Sequence, residues 1–548
     1  MGHWGRSLGH WGRSSASRQS DKKDRPQCHK NQLRSLINYD KIAHTIIHLN
    51  RSILMNIKNL LKEMDYLSYI GEDDIEIRGI TNDSRKVNRN DIFVAIKGFT
   101  NDGHKFIKNA LENGASAVIC ENIPENVKGK SNFIIVKSAR ASMAKAANII
   151  YGRPSEKMKI AGVTGTNGKT STTYLLNGIY DYLGVKSGII GTMGVLIEGK
   201  KIKVDNTTPE AFDIQHYLAM MLEKDITHCC MEVSSHALEL NRIDEVKIDV
   251  GIFTNVTRDH LDFHKTMENY YQAKKKLFYL TKVNNIINVD DPYGLRLYNE
   301  LIKEGIKAIS VGIENDADIK ASNLKTTMNG TTFNLNVMGK EKTAHVNTPG
   351  TFSVLNSLGA LGAAYALGGN IDDIIEALKQ IKGVTGRFEI LPNKLDCTII
   401  LDFAHTPDGL QKVMETINEF AEGRKIVMFG AGGERDLSRR APMGEIAGKY
   451  CDLSILTSDN PRFEDPYEIC KEIAEGVKKS NGEYKIIVER DQAIYYAIDK
   501  SQKKDVILLA GKSTEPYQDM GTEKVPYDET MLAKRAIKEV ERKRGLSS

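Results

Sequence analysis

Residues 162 to 172 read Gly-Val-Thr-Gly-Thr-Asn-Gly-Lys-Thr-Ser-Thr, a glycine-rich loop that ends on a lysine and three hydroxyl side chains. Such a loop, set between a strand and a helix, offers successive backbone N–H groups and a helix N-terminus to the phosphates of ATP. Gly165, Thr166, Asn167 and Gly168 supply the cradle, and Lys169 reaches the β- and γ-phosphates. The Thr170 hydroxyl is placed to bind Mg²⁺, and Ser171 follows it into the helix. The frame departs from G-x-x-x-x-G-K-[ST], because Val163 stands at the first glycine position with Gly162 and Gly165 on either side. A glycine turn that binds nothing is the bland alternative, and the Gly-Lys-Thr ending favours the nucleotide.

Two further side chains suit the same chemistry. Glu232 closes the hydrophobic run HCCMEV, and His260 follows VGIFTNV. Open α/β sheets bind ligands beyond the carboxyl ends of their strands, so Lys169, Glu232 and His260 are expected to share one crevice. A carboxylate and an imidazole there fit a Mg²⁺ that bridges phosphates, although a lone histidine is more often structural. Asp459, Asn460, Pro461 and Arg462 follow the strand-like LSIL. An Asn-Pro turn is the ordinary reading of that stretch, but an acid, an amide and a forked guanidinium also match the second ammonium and carboxylate of a bifunctional amino acid. Taken alone, ENYYQAKKKLF is a solvated lysine face.

The elements that position these groups are legible around them. KIAGVT reads as a strand entering the loop, and Leu175, Leu176, Ile179 and Leu183 recur at helical spacing up to a stop at Gly184. Beyond it, β-branched runs alternate with amphipathic stretches, the signature of α/β layers with mostly parallel sheets. Three blocks are expected: 55–155, 156–386 around the P-loop, and a Rossmann-like α/β block at 387–548, with a hinge near Gly383 to Gly386. FGAGGERD lacks the third glycine of a dinucleotide site, Arg435 standing in its place.

Residues 1 to 54 stand apart. GHWGRS occurs twice, and ten basic against three acidic residues give this stretch +7 of the chain's +5, leaving −2 for the body. We read it as a disordered extension without functional weight, rather than a transit peptide. A near-neutral body argues against a nucleic-acid partner. Hydrophobic residues at 41% include no run approaching the ~20 needed to span a membrane. Seven cysteines without CxxC spacing fit a reduced, cytoplasmic setting. No GxSxG or Cys-His arrangement points to an enzyme nucleophile.

From about residue 80 to 518 the ordered motifs GTNGKT, EVSSHAL, TRDH, DNPR and GRFE resemble the ATP-dependent Mur ligases of peptidoglycan synthesis, in their MurE type. The resemblance implies three α/β domains, the N-terminal one binding UDP. It implies metal ligation by Glu232, His260 and Lys274, the last as a carbamate, and ATP contacts from Asn288, Asn356, Arg387 and Asp402. Ser84, Asn206, Thr207, Thr208, Ser234 and Arg242 are implied for UDP-MurNAc-L-Ala-D-Glu. Asp459 to Arg462 with Arg440, Gly511 and Glu515 are implied for meso-diaminopimelate. The activity implied is amide ligation through an acyl phosphate, by a monomer. L-Lysine as the amino acid, a folylpolyglutamate synthetase-like ligase and a P-loop ATPase switch are the alternatives. Leu240 stands where some relatives have glutamine, Ala441 interrupts the usual Arg-Pro, and Ser513 replaces a glycine.

Overall fold

The computed structural model describes residues 54–546 apart from 99–100, 128, 130–131 and 435, so the expectation for the N-terminal extension lies outside the described residues except at Leu54. Three sheets carry the fold. The first joins β1 (Ser68–Ile70), β2 (Gly79–Thr81), β3 (Asp91–Val94), β4 (Ala117–Cys120) and β5 (Asn132–Ile135) in the order β1-β5-β4-β3-β2. All but β1 run parallel. The Asp-Ile-Phe-Val run of β3 is buried throughout, as a strand covered on both faces must be. Helix α1 (Ala139–Ile150) packs its alanine-rich face on this sheet.

The central sheet has eleven strands. Its core is parallel: β6 (Lys159–Thr164), β7 (Ser187–Gly191), β10 (His228–Glu232), β11 (Ile248–Phe253), β12 (Thr281–Asn288) and β13 (Ala308–Gly312). A hairpin of β8 (Gly194–Ile197) and β9 (Lys200–Ile202) extends one edge. An antiparallel ribbon of β14 (Ile319–Thr327), β15 (Gly330–Val337) and β16 (Lys340–Val346) extends the other. The order is β9-β8-β7-β10-β6-β11-β12-β13-β14-β15-β16, so the chain leaves β6 toward one side and returns on its other side as β11. That reversal opens a crevice beyond the ends of β6, β10 and β11.

Side-chain alternation splits the core: Ala161 and Val163 face one layer, Ile160 the other. Helix α2 (Lys169–Tyr182) buries Leu175, Leu176 and Ile179 in the first layer beside α3 (Thr351–Ala366), the small-residue helix. Small residues let α3 lie flush on the strands, since a Cβ on Gly362 would stand 2.9 Å from Ile286 Cγ2.

The third sheet orders β17 (Glu389–Leu391), β18 (Thr398–Asp402), β19 (Lys425–Phe429), β20 (Leu453–Leu456), β21 (Tyr484–Ile486) and β22 (Val506–Ala510) as β17-β18-β22-β19-β20-β21. Only β17 is antiparallel. Its helices include α4 (Pro407–Phe420), α5 (Arg440–Tyr450), α6 (Pro466–Lys479), α7 (Arg490–Asp499) and α8 (Glu529–Lys543). Strand β21 stops at Ile486 although Ile487 and Val488 continue the apolar run, and Glu489 caps α7 directly after them. A mixed, mostly parallel α/β architecture on three sheets is thus what the chain adopts.

Candidate active site

The glycine-rich loop leaves β6 at Thr164 and enters α2 at Lys169. Two of its glycines are sterically required. A Cβ on Gly165 would stand 1.8 Å from Thr254 Oγ1, and one on Gly168, whose φ is +85°, would stand 2.3 Å from Asn356 Oδ1. The loop is pinned from β11's far end: Thr166 N–H donates to Asn255 O at 2.8 Å, Asn167 N–H to Asn255 Oδ1 at 2.9 Å, and Thr254 Oγ1 to Asn167 O at 2.6 Å. Ser171 lines a cavity with Asn356, Val384 and Arg387.

Around this loop the expected catalytic groups converge. Thr170 Oγ1 donates to Glu232 Oε1 at 2.9 Å, and Arg387 Nη2 reaches Thr170 Oγ1 at 3.3 Å from the start of the third sheet. Thr192 holds Glu232 with its N–H at 3.0 Å and its hydroxyl at 2.9 Å, so this fully buried carboxylate has three donors. Lys169 Nζ donates to the Gly165 and Thr166 carbonyls at 2.9 and 3.0 Å. Burial lowers its ammonium pKa, opposed by Glu232 and Asp259. Arg387 also stacks over Phe403, 4.4 Å from the ring centre.

Lys274 is only 1% exposed, far from the solvated face expected of a lysine run. Its Nζ donates to Gly165 O at 2.8 Å and lies 4.5 Å over the Tyr270 ring. Burial, with Lys169 nearby, holds it well below the lysine range. His260 sits in a left-handed conformation at φ +52°, and burial lowers its imidazole pKa, which favours the neutral ligand form. Among the described residues no three His, Cys, Asp or Glu side chains form a closed metal cage. A hydroxyl, a carboxylate and an imidazole beside a phosphate loop instead suit Mg²⁺, which keeps water and phosphate oxygens among its ligands.

Of the nucleotide residues expected around the loop, Asn288 Nδ2 bonds Thr254 O at 2.7 Å, and Asn356 Oδ1 accepts from Thr172 Oγ1 at 3.5 Å. Asp402 spends its two oxygens on backbone, accepting Phe388 N–H and Ala404 N–H, both at 2.7 Å. It shapes the turn that aims Arg387.

Thr208, Ser234 and Arg242 form one cluster beside Glu232. Thr208 Oγ1 donates to Glu232 O at 2.8 Å, Ser234 N–H donates to Thr208 Oγ1 at 3.0 Å, and Arg242 Nη1 donates to Thr208 O at 3.0 Å. Arg242 also pairs with Glu210 at 2.8 Å. Thr207 joins through Thr192 Oγ1 at 3.0 Å, and Asn206 is exposed. Ser84 lies after β2 in the first sheet, its carbonyl accepting Asn113 Nδ2 at 2.8 Å.

The residues expected at the amino acid line the ends of β20 and β22. Asn460 Nδ2 donates to Glu515 Oε2 at 2.9 Å, and Gly511 lets Asp459 approach, since a Cβ there would stand 3.1 Å from Asp459 Oδ2. Arg462 follows Pro461 at φ +53°, bonds Gly433 O and pairs with Asp519 at 3.3 Å. Arg440 is 2% exposed and engages Glu464, just ahead of α6, at 2.8 Å and Glu472 of α6 at 3.0 Å, so its charge is already committed.

Several participants escaped the sequence reading. Arg439, beside Arg440, bonds Asp259, whose Oδ1 accepts His260 N–H at 2.6 Å. Asp408 of α4 accepts Asn167 Nδ2 at 2.7 Å, and Ser513 Oγ donates to Gly386 O at 2.8 Å. Lys512, 0% exposed, bonds Asn460 and Glu515. Beneath it Arg490 pairs with Glu529 at 2.7 Å, and Glu529 Oε2 accepts Ser513 N–H at 2.5 Å. Each of these residues sits in a motif that reads as turn or helix surface, and Asp259–Arg439, Asn167–Asp408, Asn460–Lys512 and Arg490–Glu529 join residues distant in sequence.

Known proteins resemble this chain along most of its length. The descriptions Mur ligase family, catalytic domain (residues 76–151), Mur ligase middle domain (163–364) and Mur ligase, glutamate ligase domain (386–513) all match the chain. It is 43% identical over 484 residues to the UDP-N-acetylmuramoyl-L-alanyl-D-glutamate--2,6-diaminopimelate ligase of Clostridioides difficile, covering 88% of this chain and 99% of that one. To the ligase of the same name from Alkaliphilus metalliredigens it is 42% identical over 485 residues, covering 88% and 98%. A solved structure bearing that ligase name superposes with a TM-score of 0.64 at 28% identity, over 89% of this chain and 99% of that one. The chain belongs to the Mur ligase family.

Proposed function

We propose that the chain is an ATP-dependent, ADP-forming ligase that adds meso-2,6-diaminopimelate to UDP-MurNAc-L-Ala-D-Glu during synthesis of peptidoglycan precursors. The observation that carries this is the meeting of Thr170, Glu232 and Arg387 on a loop that also holds Lys169 and Lys274, in a chain over 40% identical to ligases of that name. The three sheets divide the work as blocks 55–155 for the nucleotide-sugar, 156–386 for ATP and 387–548 for the amino acid.

A carboxylate does not condense with an amine in water because its oxygen leaves poorly. Here Lys169 and Arg387 set positive charge against the γ-phosphate while the D-Glu γ-carboxylate attacks phosphorus and ADP departs. Thr208, Ser234 and Arg242 orient that carboxylate end, with Asn206 and Thr207 beside them, while Ser84 holds the uridine end. Mg²⁺, held by Thr170, Glu232, His260 and the Lys274 carbamate, would neutralise phosphate charge. The free amine of diaminopimelate then attacks the acyl carbon, orthophosphate leaves from the tetrahedral intermediate, and the nitrogen sheds a proton. Asp459, Asn460, Arg462 and Glu515 hold the far end of the amino acid, with Gly511 giving the clearance, Pro461 shaping the turn and Arg440 bracing the wall. No enzyme nucleophile takes part, so orientation and exclusion of water supply the catalysis. The enzyme acts as a cytoplasmic monomer.

The test is ligation of UDP-MurNAc-L-Ala-D-Glu, labelled with ¹⁸O in the γ-carboxylate, with diaminopimelate or L-lysine. A diaminopimelate adduct by mass and one ¹⁸O in the released phosphate are expected. Preference for lysine would overturn the amino-acid assignment. Phosphate without label, or ATP hydrolysis that ignores both co-substrates, would overturn the ligase mechanism.

A further inference from the structure

Lys512 lies at the end of β22 with no solvent exposure, yet it is surrounded by acidic and amide groups. Its Nζ donates to Asn460 Oδ1 at 2.8 Å and to Glu515 Oε2 at 2.7 Å, and stands 3.9 Å from Asp459 Oδ1. Asn460 Oδ1 also accepts Asp519 N–H at 2.8 Å. With two donors on its oxygen, the Asn460 amide cannot flip, and its Nδ2 is aimed at Glu515 Oε2. Both bonds at Glu515 therefore fall on one oxygen, and among the described residues Oε1 carries no hydrogen bond. Asp459 is likewise held only by longer ion pairs, to Lys512 at 3.9 Å and to Arg490 at 4.0 Å. One buried ammonium thus orients three side chains and leaves a carboxylate oxygen of Glu515 and the Asp459 carboxylate free for a ligand.

The charge balance adds to this. Asp459, Glu515 and Asp519 face Lys512 and Arg462, while Arg490 and Glu529 cancel one another. These five groups leave one negative charge, which the Lys512 ammonium keeps from being two, so a far-end carboxylate placed on Arg462 meets less repulsion. Without Lys512 the same surface would be one charge more negative, favouring an amino acid whose far end is a bare ammonium and repelling one that also carries a carboxylate.

We infer that Lys512 is a positioning and specificity residue, which fixes Asn460 and Glu515 and sets the local charge so that a zwitterionic far end is preferred over a cationic one. This rests on the ligase reading above. In the test, Lys512→Met is compared with the unaltered protein for kcat/KM toward meso-diaminopimelate and L-lysine, for KM toward ATP and the nucleotide-sugar, and for acyl phosphate formed without amino acid. The KM for diaminopimelate should rise at least tenfold and the diaminopimelate-to-lysine ratio of kcat/KM should fall at least tenfold. The other two KM values and the acyl phosphate yield should stay within twofold. If Lys512→Met does not fold, Lys512→Gln, which keeps a donor and removes the charge, should show the same fall in the ratio. A ratio unchanged within twofold, or all three KM values rising together, overturns the inference. Failure of the unaltered protein to ligate diaminopimelate would instead overturn the functional reading, and this inference with it.

Discussion

Removing Arg439 should weaken ligation through its ion pair with Asp259. Its guanidinium crosses from the start of α5 to Asp259, which ends the segment after β11 and holds His260 by its backbone N–H at 2.6 Å. The two side chains are 19% and 6% exposed, so the pair is largely out of water. Stripping one partner from a buried ion pair costs about 3–5 kcal/mol. Arg439 is 19% exposed, and solvent screening of the pair offsets about 1–3 kcal/mol of that. The remainder, about 2 kcal/mol, corresponds to about a 30-fold loss. Because the contact joins the third sheet to the ATP crevice, Arg439→Gln should show the loss in kcat/KM for the amino acid. Asp259→Asn should cost more, because His260 is also disturbed, and the double variant should be scarcely worse than Asp259→Asn alone. Steady-state ADP release measured for all four proteins gives the cycle. Losses that add in full, or an Arg439→Gln protein within threefold of the unaltered one, would refute the coupling.

Lys169→Ala should abolish product in the mass assay while leaving the fold intact, since among the described residues its side-chain bonds are to the Gly165 and Thr166 carbonyls. Gly168→Ala should lose ATP-dependent ligation by at least two orders of magnitude, because a Cβ there collides with Asn356 Oδ1 and the left-handed backbone adds about 1–2 kcal/mol; equilibrium ATP binding checks it. Burial pushes the Asp213 carboxyl up to about 7. The folded state therefore holds a proton that the unfolded chain releases near pH 4, so stability should fall as pH rises from about 4 to 7. Denaturant midpoints of Asp213→Asn should lack that part of the slope.

What the sequence makes legible is what is local. The strand-loop-helix from Lys159 to Tyr182 announces itself because apolar periodicity, glycines and a lysine fall within one short window. The ribbon from Ile319 to Val346 does not, since its strands carry Lys, Asn and Thr on an exposed face and offer no continuous apolar run. The same limit governs the site. Glu232 and Thr170 are findable from strand-end position and motif, whereas Asn167–Asp408 and Asp259–Arg439 join residues 241 and 180 apart, and only the finished topology shows the pairing. Lys274 illustrates the converse: it sits in a lysine run that reads as solvated, and its burial comes from packing against Gly165 and Tyr270.

Helix α8 begins with Glu529, a carboxylate sealed from solvent whose two oxygens take Arg490 and Ser513 N–H. Arg490 in turn grips the carbonyls of Ser458 at 3.2 Å and Ala510 at 2.7 Å, immediately before Asp459 and Gly511. Helix α8 is thereby moored beneath Asp459 and Gly511, where we propose the amino acid binds. Trimming the polypeptide ahead of residue 529 would strand a guanidinium in a dry interior and slacken both loops above it.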